Sequence, residues 1–369
     1  MFKLFSDSDD WSIQALRLIA EGQFGGADIN ECVRTAEQIG KRRDVDSWSE
    51  EWARTASDVA AWGRAEQMKG HALTAQQALF RAFNYYRTAD FFLDSKDPRK
   101  GKLYGQGVAC FSDAARSHVP AIEPVAIPYE GAVLTGYFCH ADRASIEPSP
   151  AVLYLGGADS WAEELFFLGG NQITTRGMHL LIVDTPGRGS ALRLHNLVSR
   201  YDYEVPVRAC FDYLCSRKDV DATRLGLMGV SMGGYYAPRA AAFEPRVRAL
   251  CAWSGCWNIL NDIYDHYPPI QKQLQWVVGA RDDADARERL VPFTLEGVAD
   301  RIACPTLISH GEDDFIMAVE GAQRLFDALR CPKEFRLWRR EEGGSVHLSY
   351  DNIAIVVPHM ADWMKDHLA

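Results

Sequence analysis

Hydrophobic spacing divides the chain into two regimes. Over residues 1–118 apolar side chains recur every three or four positions, which is the period of helices that bury one face. The sequence Asp28-Ile29-Asn30-Glu31 has the form of a helix-opening capping box, and Gly40 suits the stop of the same helix. A second box, Ser47-Trp48-Ser49-Glu50, precedes a stripe of Trp48, Trp52, Ala56, Val59 and Trp62. A third, Thr74-Ala75-Gln76-Gln77, precedes Leu79, Phe80, Phe83, Tyr86 and Phe92. Aromatics at that spacing are expected to pack helix against helix. Some of them, with Tyr85, Tyr86 and Arg87 the candidates, are also expected to cover a substrate pocket. After residue 120 the period changes. Alternating positions over 125–130 and 132–138, on either side of Gly131, predict an antiparallel hairpin, and 142–150 reads as a polar loop. Continuous apolar runs then follow at 151–155, 180–183, 225–230, 247–253 and 306–310, with 334–338 after them. Uninterrupted runs of this kind suit strands buried on both faces, and helical stretches separate them. The expected fold class is α/β: a mostly parallel sheet flanked by helices, residues 119–369, behind an all-helical domain, residues 1–118. Between 254 and 304 the alternation lapses, and a small helical cap insertion is expected there.

Charge and composition narrow the function classes. The 369 residues carry a formal net charge of −10, which disfavours a nucleic-acid partner. No run approaches the 18 or so apolar residues of a membrane span, and the N-terminal residues lack the apolar core of a signal peptide. The nine cysteines show no C-x-x-C pair, so reduced thiols and a cytoplasmic setting are expected. There is no H-E-x-x-H, no His/Cys cluster at ligand spacing, no P-loop and no G-x-G-x-x-G after a strand. Neither metal nor cofactor is expected.

The chemistry centres on Gly229-Val230-Ser231-Met232-Gly233, where an apolar run meets a small-residue helix. This is a G-x-S-x-G nucleophile elbow, and Ser231 is the expected nucleophile. A serine hydroxyl needs a base, and the base needs an orienting carboxylate. His347 lies in a Gly-rich loop past the last strand and is the expected base. The acid should leave the strand before it, in His310-Gly311-Glu312-Asp313-Asp314. The apolar residues after Asp314 favour that residue, with Asp313 the alternative. Two backbone amides should receive the oxyanion: that of Met232, and that of Gly157 or Ala158 in the loop after the strand at 151–155.

Together these segments resemble the α/β-hydrolases over the last two-thirds of the chain. With the front-end segment Ala82-Phe83-Asn84-Tyr85-Tyr86-Arg87, the likeness extends over nearly the whole chain. It is to the group of 2,6-dihydroxypseudooxynicotine hydrolase, the fungal polyketide chain-shortening hydrolases and the fermentation–respiration switch proteins. The resemblance implies hydrolysis of a carbon–carbon bond beside a ketone in an aromatic or polyketide-derived, β-diketone-like small molecule. It also implies a triad of Ser231, Asp314 and His347, a helical lid and a homodimer. Asp262 is its candidate for a further acid after the sixth strand, and Trp257 beside it is expected to bind substrate. A carboxylesterase, or an acyltransferase or cyclase of a natural-product pathway, would use the same residues.

Overall fold

The computed structural model describes residues 1–142 and 148–369; part of the polar loop expected over 142–150 therefore lies outside the described residues. The chain forms two compact units. The first comprises Met1–Glu123 together with Phe166–Gly169, and the second comprises Pro124–Leu165 and Gly170–Ala369.

The first unit is built from α1 (Asp9–Glu21), α2 (Ile29–Ile39), α3 (Val45–Met68), α4 (Ala72–Asp90) and α5 (Arg99–Ala115). Asp28 caps α2 as expected, its carboxylate accepting from the amides of Asn30 and Glu31. The second start falls three residues earlier than the Ser47 box suggests. Asp44 is the N-cap, and Ser47 serves as the third residue of a reciprocal box. Helix α4 likewise starts before Thr74, at Ala72, with no side chain capping it. The stripe on α3 buries Trp48, Trp52, Ala56 and Val59, but Trp62 stays 47 % exposed. The buried face continues instead through Gly63, where a Cβ would stand 2.9 Å from the Cβ of Ala78 on α4. The two helices are tightly packed at that glycine, a contact that hydrophobic periodicity passes over. Trp48 and Trp52 meet edge to face at 5.9 Å, and Trp52 stacks on Tyr85 at 5.7 Å. Phe167 packs into this core against Phe80, with ring centroids 5.2 Å apart.

The second unit carries eight strands: β1 (Ile122–Tyr129), β2 (Ala132–Cys139), β3 (Ser149–Leu155), β4 (His179–Val183), β5 (Val220–Val230), β6 (Val247–Trp253), β7 (Thr306–Gly311) and β8 (Lys333–Trp338). Their order across the sheet is β1-β2-β4-β3-β5-β6-β7-β8. β2 runs antiparallel to β4, and β4, β3, β5, β6, β7 and β8 pair in parallel. Apart from Arg248 near the start of β6, strands β4, β6 and β7 are buried along their length, which explains why they read as continuous apolar runs. The register sets Leu155 beside Gly229, Val230 beside Trp253, and Trp253 beside Ser309. The loops after β3, β5, β6 and β7 therefore leave from one edge of the sheet, where open α/β folds bind their ligands. The region between β6 and β7 holds a π-helical turn, Leu260–Asp265, and two short helices, Gln271–Val277 and Asp283–Leu290. Among the described residues no helix is long and apolar enough to cross a membrane.

Overpacking a close helix contact costs about 1–3 kcal/mol. Gly63→Val should lower the thermal midpoint, whereas Trp62→Ser at the adjacent exposed position should leave it within about 0.5 kcal/mol of the parent. Equal effects of the two substitutions would show that α3 and α4 are not in register at Gly63.

Candidate active site

Strand β5 ends at Val230, and the helix Gly233–Ala241 begins three residues later. Ser231 bridges them with φ 57°, a left-handed conformation that is uncommon for a residue with a Cβ. It is held there at both ends. Its amide donates to the Trp253 carbonyl at 3.0 Å, and its carbonyl accepts from Gly234 at 2.6 Å. The turn is too tight for side chains at its flanks. A Cβ on Gly229 would lie 2.0 Å from the Gly233 carbonyl oxygen, and one on Gly233 would lie 2.6 Å from that of Leu155. The loop after β3 passes equally close, since a Cβ on Gly157 would meet the Ser231 Cβ at 2.9 Å. The structure thus places the Gly157 backbone against Ser231.

That loop distinguishes the two amides expected to serve there. The Gly157 N–H donates to the Ser160 hydroxyl at 2.9 Å. Among the described residues no acceptor takes the amides of Ala158 or Met232. The Ala158 carbonyl accepts from Gln273 at 3.0 Å, so the insertion after β6 reaches this loop. Further along, the Ala162 amide donates to Asp184 at 2.8 Å, and the same carboxylate takes the Ser190 amide at 2.7 Å. Glu163 is buried beside it. Burial, and then the charge of Asp184, pushes the Glu163 carboxyl up to about 8.

The expected acid and base lie on two loops that are laced together. The Asp313 amide donates to the Ser345 carbonyl at 2.8 Å, and the Ser345 hydroxyl donates to Asp313 at 2.9 Å. The His347 loop is folded over Asp351, whose carboxylate collects the amides of Gly344, Ser345 and Val346. His347 follows, and its Nδ1 lies 2.8 Å from Oδ2 and 3.0 Å from Oδ1 of Asp314. Asp314 is buried and also accepts from the amides of Ile316 and Met317 and from the Ser254 hydroxyl. Burial alone would raise its pKa. The His347 imidazole, with His310 at 3.5 Å, outweighs that effect and holds the carboxyl below its ordinary range. Asp313 faces elsewhere, paired with Arg340 at 2.6 Å. His310 is buried with its Nε2 3.2 Å from the Met317 carbonyl, bracing the turn that carries Asp314.

The expected substrate-binding residues are placed differently. In the insertion, Asp262 Oδ2 accepts from the amides of Trp257 and Asn258 at 2.8 and 2.9 Å, so this carboxylate ties its own segment together. Trp257 is buried beneath the Arg324 guanidinium, 5.2 Å from its ring. Tyr85 and Tyr86 are buried in the first unit. The Tyr85 hydroxyl donates to Glu31 at 2.6 Å and accepts the Asp28 amide at 2.8 Å. Tyr86 receives a bond from Gln106 at 3.4 Å. Ser254 and Gln273 were not among the expected site residues. Ser254 directly follows β6 with φ 55°, and the only sequence signal for it is a small residue at a strand exit.

An eight-stranded sheet in this order, with a strained serine between β5 and a helix, defines an α/β-hydrolase. The chain belongs to the prolyl oligopeptidase family, which it matches over residues 173–369. It is 29% identical to a 20-hydroxy-prefusarin hydrolase of Gibberella moniliformis over 416 residues, covering 100% of this chain and 99% of that one. It is 33% identical to an alpha/beta hydrolase of Acremonium sp over 376 residues, covering 88% of each. Among solved structures it is similar to a 2,6-dihydroxy-pseudo-oxynicotine hydrolase, with a TM-score of 0.82, 25% identity, and coverage of 95% of this chain and 96% of that one. The protein is therefore an enzyme, a hydrolase.

The buried acid pair has a measurable consequence. In the folded chain Glu163 keeps its proton up to about pH 8, and in the unfolded chain it loses it near its ordinary value of 4.5. Between those values the native state binds the extra proton, so this group makes stability fall as pH rises. Glu163→Gln removes the effect. The thermal midpoint of the variant should gain on the parent by a few degrees between pH 5 and pH 9. A gain of the opposite sign would mean that Glu163 is ionised in the fold.

Proposed function

We propose that this hydrolase cleaves a carbon–carbon bond beside a ketone in an aromatic or polyketide-derived, β-diketone-like substrate, with Ser231 as nucleophile, His347 as base and Asp314 as the orienting acid. The observation that carries the triad is the 2.8 Å contact between His347 Nδ1 and Asp314, on loops that leave the same sheet edge as the strained Ser231 turn. An imidazole held at Nδ1 by a buried carboxylate presents Nε2 for proton transfer. The bond type is supported by similarity to hydrolases named for 20-hydroxy-prefusarin and for 2,6-dihydroxy-pseudo-oxynicotine.

The chemistry proceeds in two halves. Ser231 Oγ adds to the side-chain carbonyl while His347 takes its proton. The negative charge that forms on the carbonyl oxygen falls to the amides of Met232 and Ala158, the two without acceptors, and the dipole of the helix Gly233–Ala241 favours it. When the tetrahedral intermediate collapses, the carbon–carbon bond breaks and its electron pair moves onto the departing carbon. That carbon can depart because a neighbouring carbonyl, or a phenol in its keto form, delocalises the pair. His347 returns the proton to it. Water, deprotonated by the same imidazole, then releases the acyl group as a carboxylic acid and restores Ser231. The net change is addition of one water: hydroxyl to the acyl fragment, hydrogen to the other.

The discriminating experiment offers the enzyme an acylphenol, a 1,3-diketone and p-nitrophenyl acetate in ¹⁸O-labelled water. A carboxylic acid carrying the label, released with the shortened ketone or phenol, supports carbon–carbon hydrolysis. Turnover confined to the ester would make the enzyme a carboxylesterase. Ser231→Ala should lower kcat by on the order of 10⁶ with the fold intact. Asp314→Asn should cost on the order of 10⁴ and Asp313→Asn far less. The reverse ranking would move the acid to Asp313.

A further inference from the structure

Arg188, in the loop after β4, is only 2 % exposed. Among the described residues its hydrogen bonds all go to neutral groups. Nε donates to the Gly156 carbonyl at 2.9 Å, and Nη1 donates to the Tyr203 hydroxyl at 2.6 Å and to the Pro186 carbonyl at 3.2 Å. The guanidinium carbon lies 4.4 Å from the ring centroid of Tyr236 and 5.4 Å from that of Tyr203. Nη2 is buried and has no acceptor among the described residues. A guanidinium taken out of water without a carboxylate is costly, and exchanging buried charge for an apolar side chain of similar volume often leaves stability unchanged or improved. Stability alone does not account for Arg188. What it grips is the loop beside Ser231.

The peptide between Gly156 and Gly157 is fixed at both ends. Arg188 holds its carbonyl, and the Ser160 hydroxyl holds its N–H. The peptide two bonds further along is fixed by Gln273 through the Ala158 carbonyl. Between these clamps lies the Ala158 amide, which no acceptor occupies among the described residues. Two adjacent glycines leave the backbone broad freedom, so an unclamped Gly156–Gly157 plane can turn over and carry its neighbours with it. The Gly156 carbonyl also abuts the start of the helix after Ser231, where a Cβ on Gly233 would stand 2.9 Å from it.

We propose that Arg188 is a positioning residue for the oxyanion hole. It locks the Gly156–Gly157 plane so that the Ala158 amide remains free to receive the oxyanion, and it sets a full positive charge behind the loop where negative charge develops. The assignment rests on the reading of Ser231 as nucleophile. A buried charge acting through a preorganised loop should strengthen the transition state more than the bound substrate.

The test compares wild type with Arg188→Met, Arg188→Lys and Ser160→Ala. Three quantities are measured: kcat and KM on p-nitrophenyl acetate, the affinity for an aryl trifluoromethyl ketone that binds serine hydrolases as an oxyanionic hemiketal, and the thermal midpoint. Arg188→Met should lower kcat by about 10²-fold and weaken the ketone by a similar factor, with KM changed less than about threefold. Its thermal midpoint should stay within a few degrees of wild type or rise. Arg188→Lys should recover at least about a tenth of the lost activity, because it restores the charge and one bond to Gly156. Retention of both kcat and ketone affinity within about threefold, or a loss carried by KM alone, would overturn the proposal. Should Arg188→Met fail to fold, Ser160→Ala releases the other end of the same peptide and should shift kcat and ketone affinity together, and no shift in either would overturn it. Labelling of Ser231 by a fluorophosphonate separates the two readings. An unlabelled wild type would remove the nucleophile and this proposal with it, whereas a labelled wild type beside an unaffected Arg188→Met would remove Arg188 alone.

Discussion

The left-handed backbone of Ser231 constrains everything around it. A residue with a Cβ resists φ near 57°, so the surrounding structure must over-determine it. The Trp253 carbonyl and the Gly234 amide do so directly. The remaining requirement is space. Gly229, Gly233 and Gly157 are the positions where a single added carbon would collide with the turn or with the loop beside it. The left-handed conformation of Ser231 is thus maintained by the sheet on one side and by an absence of side chains on the other.

A second layer of order comes from buried and half-buried carboxylates, each with a distinct task. Asp314 gathers two amides, a hydroxyl and an imidazole, and is charged because of them. Asp351 folds the loop that delivers His347, and Asp184 fastens the far end of the loop after β3. Glu163 lies beside Asp184, and burial first, then the Asp184 charge, pushes its carboxyl toward the protonated form. Three loops are therefore positioned by acids whose bonds run mostly to backbone amides. Amides are available at any sequence position, so such anchors leave little trace in residue patterns.

That difference explains what was legible beforehand. The parallel strands stood out because full burial demands unbroken apolar runs, and the elbow stood out because steric limits on Gly229 and Gly233 translate directly into residue identity. Asp28 was readable as a cap because its partners are its immediate neighbours. Asp313 and Asp314 could not be separated with equal ease, since what divides them is Arg340 on one side and His347 on the other, each reached across the fold. Trp62 was misplaced for a related reason. The helix contact turns on Gly63, and glycine carries no hydrophobic signal. Nothing in the sequence singles out Arg188, because its neutral surroundings are assembled from across the fold.

The composition of the first unit affects how the chain assembles. Its core takes in Phe166 and Phe167, which are encoded more than forty positions after Glu123 and after three strands of the sheet. During synthesis the five helices emerge first, yet Phe80, Phe83 and Phe111 lack these ring partners until the later segment leaves the ribosome. Domains generally complete as units, N-terminal first. Here the first unit is completed by a segment encoded between two stretches of the second, so the order of completion is set by chain threading rather than by position along the gene.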